Sequence, residues 1–167
     1  FGDRVRSLKV MDSSGQVKIL PPEAAGFGYR SSRLEGRVVL EAVLKLTPDD
    51  SKEIAARVQR LWAFKKETQD WSAPSAGCIF QNPSVVAVWP DGVPRSAGAL
   101  VDRAGLKGAR EGGARISERH ANFIVNDAGA TARDVRVLVE RARSAVHDKF
   151  GVDLADEVVY LGTFDHG

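Results

Sequence analysis

The sequence is poor in cysteine and has no long apolar segment. A single cysteine among 167 residues excludes an internal disulfide, and a zinc site with two or four cysteine ligands, within one chain. No stretch approaches the roughly 18 apolar residues that a membrane helix needs, and no basic start followed by an apolar region marks a secretory signal. We therefore expect a cytoplasmic protein that holds no metal and contacts no membrane.

An excess of charge of one sign is also missing. The 24 basic and 22 acidic side chains leave a net charge of +2, whereas nucleic-acid-binding proteins usually carry a large basic excess. We therefore expect no nucleic-acid partner. Small anionic ligands are compatible with this balance, because a few placed cations suffice to bind a phosphate or a carboxylate.

The chain begins at Phe1 without a methionine, and its first residues already have the pattern of a strand. We therefore expect it to be a C-terminal fragment or a trimmed chain.

The leading part of the sequence has the features of β-structure. Apolar and polar residues alternate over Val5–Met11, and the pattern resumes at Val17–Leu20 after a turn that contains glycine. This arrangement predicts a β-hairpin. Pro22–Ala25 predicts a short helical turn, and residues 37–46 predict another strand.

Two longer helices are predicted farther along the chain. The first would be capped by Thr47 or Asp49 and would reach about residue 69. The second would begin at Thr131, where Asp134 completes a capping box, and would stop at Gly151.

Shorter elements fill the remaining sequence. We predict a loop at 71–83, a helix at 97–104, and strands at Ala114–Ile116, 123–125 and 157–161. The predicted fold class is therefore α+β, with a β-rich piece at residues 1–46 and a compact helix–strand domain at residues 47–167.

The only cysteine, Cys78, lies in the segment Ser-Ala-Gly-Cys-Ile-Phe-Gln-Asn-Pro at 75–83. A lone cysteine is commonly a small buried hydrophobic residue. Here, however, the preceding glycine would let a ligand approach closely, and an Asn-Pro turn follows. Because a thiol with a pKa near about 8.5 is mostly protonated at neutral pH, Cys78 could instead donate a proton. The residues alone leave both interpretations open.

Three other residues also have a structural and a functional interpretation. Arg30 lies between a glycine-containing turn and a strand, and is either a surface cation or a bidentate clamp for a carboxylate or enolate. Glu157 is either solvated or an inward-facing acid with a raised pKa. His120 invites a cysteine hydrolase with Cys78, although no third residue at a recognisable spacing would orient the histidine.

Several segments, in this order, resemble the C-terminal part of the UDP-N-acetylenolpyruvoylglucosamine reductase family, also called UDP-N-acetylmuramate dehydrogenase or MurB. The resemblance rests on Tyr-Arg-Ser-Ser at 29–32, on the cysteine segment at 75–83 and on Ala-Gly-Ala-Leu-Val-Asp-Arg-Ala-Gly-Leu-Lys-Gly at 97–108. It continues with Gly-Gly-Ala at 112–114, His-Ala-Asn-Phe-Ile-Val-Asn at 120–126 and Glu-Val at 157–158. These motifs stand in register along nearly the whole chain, so together they are stronger evidence for the resemblance than any one of them alone.

The resemblance implies a cofactor and a reaction. Residues 1–46 resemble the end of an FAD-binding domain whose glycine-rich flavin loops would precede Phe1, and residues 47–167 resemble a substrate-binding domain. In the implied reaction, NADPH reduces FAD, and hydride then passes to C3 of the enolpyruvyl group on UDP-N-acetylglucosamine. Protonation at C2 gives UDP-N-acetylmuramate for peptidoglycan. The isolated chain, which would lack most of the flavin site, is expected to be inactive.

The resemblance also assigns catalytic roles. Arg30 and Glu157 match the positions that the family uses beside the developing enolate charge. Cys78 matches the proton donor, at a position where serine is commoner. A thiol is a weaker hydrogen-bond donor than a hydroxyl but a stronger acid, so we keep the role of proton donor for Cys78.

Four binding residues are implied in the same way. Lys66, Asn82 and Tyr29 match substrate-contacting positions, and Gly77 together with Arg30 would lie near the flavin. The sequence departs from the family pattern at two nearby positions, with Gln81 where lysine is frequent and Asp70 where proline is expected. We expect a monomer that binds a UDP-sugar. The alternative function is a non-redox module that binds the UDP-sugar without flavin.

Overall fold

The computed structural model describes residues 2–71, 73–83 and 89–163. The chain divides into two compact units, Phe1–Ala56 and Arg57–Gly167. A functional division between residues 46 and 47 stays a prediction.

The first unit is built on a three-stranded antiparallel sheet. In the order β2–β1–β3, its strands are Val17–Leu20, Val5–Met11 and Val38–Leu44. The turn between β1 and β2 is fixed by Asp12, whose Oδ1 accepts hydrogen bonds from the N–H groups of residues 14 and 16, each at 3.0 Å. Such side-chain to backbone bonds favour a tight turn. The hairpin is therefore specified locally, as predicted.

The core of the first unit is small. A helical turn, α1 (Pro22–Ala25), packs on the inner face of β1. Its Ala25 is buried together with Val5, Leu8 and Val10. All seven residues of β3 are exposed in the described structure, so β1 supplies most of the apolar side chains of this core.

Helix α2 (Ser51–Thr68) is capped by Asp50, and the prediction of Thr47 or Asp49 as its cap is wrong. Oδ1 of Asp50 accepts hydrogen bonds from the N–H groups of residues 52 and 53 at 2.9 and 3.0 Å. The Thr47 hydroxyl instead accepts a bond from Arg4 Nη1 at 3.0 Å. Thr47 is thus used in a tertiary contact, which residue spacing alone does not reveal.

The second unit combines a four-stranded antiparallel sheet with two helices and the part of α2 from residue 57 onward. In the order β4–β7–β6–β5, the strands are Ser75–Cys78, Phe123–Asn126, Ala114–Ile116 and Arg110–Glu111. Helix α4 (Ala132–Phe150) contacts β5, β6 and helix α3 (Ala97–Arg103). The largest fully buried side chains of the core formed by these elements are Phe80, Ile79, Leu100, Ile116, Leu138, Val101, Val139 and Val146.

The predicted mixture of helices and antiparallel strands is confirmed, with two additions. Strand β4 lies inside the predicted loop at 71–83, and β5 has only two residues. Both strands are short. Strand β4 pairs with β7, which is distant in sequence, and β5 pairs with β6 across a tight turn. The glycine and proline content of residues 71–83 therefore hid a strand that exists through pairing with β7.

The prediction of a strand at residues 157–161 is wrong. The described structure has only an isolated bridge there, between Asp156 and Phe80. The N–H groups of Glu157 and Val158 both donate to the single carbonyl oxygen of Ile79, at 2.9 and 3.4 Å. In an antiparallel ladder, successive bonded residues of one strand pair with different residues of the partner strand. Two N–H groups that share one acceptor do not continue such a ladder, so the pairing stops after one bridge.

Helix α4 begins with the capping box that the sequence predicts. The Thr131 hydroxyl accepts a hydrogen bond from the N–H of Asp134 at 3.1 Å, and Asp134 Oδ2 accepts one from the N–H of Thr131 at 2.9 Å. Gly151, with φ of 64°, ends the helix in the left-handed conformation. Because α4 covers the sheet of the second unit, its start contributes to the stability of that unit.

We expect Thr131→Ala to lower the free energy of unfolding by about 1 kcal/mol, because it leaves an N–H group in the first turn of α4 without its acceptor. Thr131→Ser keeps the hydroxyl and is the matched control, with an expected change under about 0.5 kcal/mol. Urea denaturation followed by circular dichroism measures both. Equal losses in the two variants would contradict the capping role.

Candidate active site

Cys78 ends strand β4 and is half-buried. It pairs with Phe123 of β7, and the register between β4 and β7 is irregular between Ser75 and Cys78. Gly77 has φ of 86°, a conformation that side-chain-bearing residues rarely adopt, and a Cβ at this position would meet no atom of the described residues within 4 Å, its two chain neighbours aside. The backbone before Cys78 is therefore bent and leaves open space, and Cys78 is not part of the buried core cluster.

The backbone that follows Cys78, at residues 79–81, is held on one side by Asn122. The Asn122 side chain is buried; its Nδ2 donates to the carbonyl oxygen of Phe80 at 2.8 Å, and its Oδ1 accepts from the N–H of Phe80 at 3.0 Å. The N–H of Ile79 donates to the backbone oxygen of Asn122 at 2.9 Å. The amide thus takes the place of a neighbouring strand for Phe80 and provides hydrogen-bond partners for its buried N–H and C=O groups.

The other side of residues 79–81 is held by residues 155–158. The N–H of Gln81 donates to the carbonyl oxygen of Ala155 at 2.9 Å, and Gln81 Nε2 donates to that of Asp156 at 3.0 Å. The N–H of Glu157 donates to the carbonyl oxygen of Ile79 at 2.9 Å. The structure therefore brings the half-buried Glu157 next to the residue that follows Cys78.

Asn82 has a structural role that the sequence analysis did not anticipate. Its Oδ1 accepts a hydrogen bond from the N–H of Ala97, the first residue of α3, at 3.0 Å. The residue is otherwise exposed. One face of its amide therefore positions α3, and substrate contact by Asn82 stays a prediction.

Lys66 lies exposed in the last turn of α2. That helix end is attached to the rest of the second unit by Asp70, whose Oδ2 accepts a 2.6 Å hydrogen bond from the hydroxyl of the buried Ser117. Asp70 also pairs with Arg119, with Nε and Oδ1 3.7 Å apart. The departure from proline at position 70 thus provides a polar anchor close to Lys66.

Tyr29 and Arg30 lie in the first unit, whereas the other predicted site residues lie in the second. They are the two central residues of a tight turn in which the N–H of Gly28 donates to the carbonyl oxygen of Ser31 at 3.0 Å. Both are exposed. Arg30 has φ of 54°, and it is the only non-glycine residue with a positive φ in the described part of the chain. Such strain persists where the surroundings impose it and is commonest at functional sites.

His120 is poorly suited to the cysteine-hydrolase hypothesis. Its Nδ1 accepts a hydrogen bond from the N–H of Asn122 at 3.2 Å, so the neutral ring carries its proton on Nε2. The ring also packs against the edge of Phe123, with centroids 4.6 Å apart. Burial lowers the pKa of His120 below its ordinary value. In this arrangement neither ring nitrogen of the neutral form can take a proton from a thiol while the bond to Asn122 persists.

The residues that hold the site were missed in the sequence. Asn122 stands inside the motif at 120–126, but only its buried amide and its bonds to Phe80 identify its role. Asp70 was noticed only as a departure from proline. No group of three or more His, Cys, Asp or Glu residues suited to a metal ion occurs among residues 2–71, 73–83 and 89–163. In the same residues, no helix is both long and apolar enough to cross a membrane.

Known proteins match this chain over both units. Residues 69–161 match the family described as UDP-N-acetylenolpyruvoylglucosamine reductase, C-terminal domain. A UDP-N-acetylenolpyruvoylglucosamine reductase from Bacillus licheniformis is 41% identical over 156 residues, which cover 92% of this chain and 80% of that protein. One from Anoxybacillus flavithermus is 38% identical, over 95% of this chain and 50% of that protein.

A solved structure is similar as well. The crystal structure of UDP-N-acetylenolpyruvylglucosamine reductase (MurB) from Thermus caldophilus aligns with a TM-score of 0.72 at 38% identity. The alignment covers 92% of this chain and 52% of that one. This chain therefore spans about half the length of most of the relatives that it matches.

The strained turn at Arg30 predicts a difference between two truncations. Arg30→Gly and Arg30→Ala both remove the guanidinium group, but only glycine relieves the left-handed backbone. We expect the glycine variant to unfold with a free energy about 1 kcal/mol higher than that of the alanine variant. Parallel urea denaturation of the two variants measures the difference. An alanine variant as stable as the glycine variant would contradict a strained Arg30.

The lowered pKa of His120 predicts a pH dependence. The neutral ring is favoured in the folded protein, so the associated stability is present above the ordinary pKa of about 6.5 and is lost as pH falls toward the lower folded-state value. We expect the wild type to lose more unfolding free energy than His120→Asn between about pH 7 and about pH 5. The Asn side chain offers an oxygen for the N–H of Asn122 but does not titrate. Parallel stability curves against pH would contradict this prediction.

Proposed function

The chain belongs to the UDP-N-acetylenolpyruvoylglucosamine reductase family, and from that premise we propose that it forms the C-terminal part of an enzyme that reduces UDP-N-acetylglucosamine enolpyruvate to UDP-N-acetylmuramate. The product is a peptidoglycan precursor. The observation that carries the proposal is the hydrogen bond from the N–H of Glu157 to the carbonyl oxygen of Ile79. This bond holds the backbone of Glu157 beside Ile79, the residue that follows Cys78, and so supports a joint role for the acid and the thiol.

The geometry at Gly77 fits a flat cofactor ring. The open space over this residue and its positive φ would let a planar ring lie close to the backbone beside Cys78. FAD, when bound, would accept hydride from NADPH and supply it to C3 of the enolpyruvyl group. Gly77 and Arg30 would line part of that cofactor site, and the glycine-rich flavin loops would belong to the region that the longer relatives have in addition.

Cys78 would be the proton donor. Hydride addition at C3 of the enolpyruvyl double bond moves an electron pair toward C2 and its carboxylate, and a proton at C2 completes the reduction. A thiol is mostly protonated near neutral pH, so it can supply that proton. The half-buried position of Cys78, at a bend held by β7, suits a group that must face a ligand and still keep a fixed direction.

Arg30 and Glu157 would act on the carboxylate end of the substrate. The guanidinium of Arg30 is a planar donor that can hold two oxygens at once, and its strained turn would fix the direction from which it does so. Glu157 would hydrogen-bond to the developing enolate from the irregular segment that bonds to Ile79. Both interactions would be stronger in the transition state, when negative charge is greatest, than in the ground state.

Lys66, Asn82 and Tyr29 would contact the UDP-sugar. Lys66 is exposed on an anchored helix end and would be available for a phosphate. Asn82 would use the polar atoms of its amide that do not bond to Ala97. Tyr29 is 63% exposed at the tip of the turn that carries Arg30, so its ring would be free to pack on the substrate.

We further propose that residues 1–46 complete an FAD-binding domain, that residues 47–167 form the substrate-binding domain, and that the protein is a cytoplasmic monomer. The second candidate function is a UDP-sugar-binding module without flavin. It would need only the substrate contacts proposed for Lys66 and Asn82, both of which lie in the second unit.

Reductase activity is tested with the full protein, including whatever sequence its gene encodes ahead of Phe1. We expect it to bind FAD and to oxidise NADPH continuously only when UDP-N-acetylglucosamine enolpyruvate is present. Absorbance at the flavin band and at the NADPH band measures the two properties. A protein that binds the UDP-sugar but no FAD would instead be a binding module.

Substitution of Cys78 separates the two half-reactions. Cys78→Ala should leave the reduction of FAD by NADPH within about twofold, while turnover falls by about 10²- to 10⁴-fold because only protonation at C2 loses its acid. Cys78→Ser keeps a proton donor in the same place and should remain active. Stopped-flow flavin reduction and steady-state turnover measure the two steps. Normal turnover by Cys78→Ala would show that the thiol only fills space.

A further inference from the structure

Arg143 of helix α4 contacts the segment that carries Glu157. Its Nη2 lies 2.5 Å from Oδ1 of Asp156, and its Nε donates to the carbonyl oxygen of Leu154 at 3.3 Å. Asp156 is the residue directly before Glu157 in the chain. One side chain therefore ties the helix to two points of the segment, both within three residues of the acid.

The same guanidinium also contacts the segment that follows Cys78. Its central carbon lies 5.9 Å from the ring centroid of the buried Phe80, a distance at which a cation is attracted to an aromatic face. Phe80 forms the isolated bridge with Asp156. Arg143 therefore lies at the crossing of two backbone segments, one with Cys78 two residues away and the other with Glu157.

The support for Arg143 comes from a rigid element. Helix α4 starts with a capping box and buries Leu138, Val139, Ala142 and Val146, the last three of which lie within four residues of Arg143. Arg143 is only 28% exposed and also pairs with Glu140 on the same helix. These hydrogen bonds to Glu140 and Asp156 raise its pKa, so the charge is permanent. Residues 155–158 have no regular strand to hold them, so this contact limits how they can shift.

We propose that Arg143 is a positioning residue that holds Glu157 in register beside Cys78 through its bond to Asp156. This inference rests on the proposed function, in which Glu157 acts at the substrate. A displacement of about 1 Å in a reacting group can cost about a hundredfold in rate. The role of Arg143 is therefore expressed in turnover and not in the affinity for substrate.

The test uses the full protein and the variant Arg143→Ala. We expect kcat to fall by about 10- to 100-fold, with KM for the enolpyruvyl sugar and the rate of flavin reduction by NADPH each within about threefold. Amide hydrogen exchange at Glu157 should become faster, since its N–H bond to Ile79 loses its support. A milder variant, Asp156→Asn, keeps one hydrogen bond and should lower kcat by about three- to tenfold; it carries the test if Arg143→Ala does not fold.

The matched control is Arg115→Ala. Arg115 is also partly buried and ion-paired, to Asp127 at 3.3 Å, but it lies on β6 and has no bond to residues 154–158 among those described. The Arg115→Ala variant should lose about as much thermal stability as Arg143→Ala and keep kcat within about twofold of the wild type. An equal loss of kcat in Arg115→Ala would show that the effect of Arg143→Ala comes from general destabilisation and not from positioning.

Failure of the inference and failure of the proposed function give different results. An unchanged kcat in Arg143→Ala and Asp156→Asn, or a parallel fall of kcat and flavin reduction, overturns the positioning role and leaves the reductase assignment in place. A wild-type protein that neither binds FAD nor turns over overturns the proposed function and the inference with it.

Discussion

The structure of the candidate site depends on how the backbone of residues 79–81 is satisfied on both sides. On one side, Asn122 supplies its backbone oxygen to Ile79 and both polar atoms of its side chain to Phe80. On the other, residues 155–158 bond to Ile79 and Gln81. Ile79 and Phe80 are buried, and a buried backbone group without a partner costs about 1–3 kcal/mol. Both flanks must therefore be in place for Cys78 to have a defined position.

Neither flank is a regular strand, so polar side chains supply some of the hydrogen bonds that a neighbouring strand would otherwise provide. The Asn122 amide stands where a neighbouring strand would otherwise present its backbone. Arg143 fastens residues 154 and 156 from helix α4, and Asp70 fastens the end of α2 to the buried Ser117. A loop-like backbone fixed in this way leaves room for ligands, which a continuous sheet would fill.

The sequence predicts the elements whose signals are local. The hairpin at Val5–Met11 and Val17–Leu20 follows from alternation and the Asp12 turn, and α4 follows from Thr131 and Asp134. The sequence does not predict β4, because its glycine and proline content masks a strand that pairs with residues more than 40 positions away. The cap at Asp50 was missed because Thr47 is taken up by Arg4. In the same way, the motifs located Cys78 and Glu157, whereas the groups that hold them act across long sequence separations.

The exchange of serine for cysteine at position 78 is easier to understand from this arrangement. The position is set by features outside the side chain: the left-handed Gly77, the pairing with Phe123 and the grip of Asn122 on Phe80. A thiol and a hydroxyl would therefore be carried to nearly the same place by the same backbone. The two groups differ in acidity and in hydrogen-bond strength, so in the proposed role of proton donor the exchange would alter how readily the proton leaves and not where it is delivered. A site built from backbone contacts can in this way accept either donor, provided that the flanks at Asn122 and at residues 155–158 are kept.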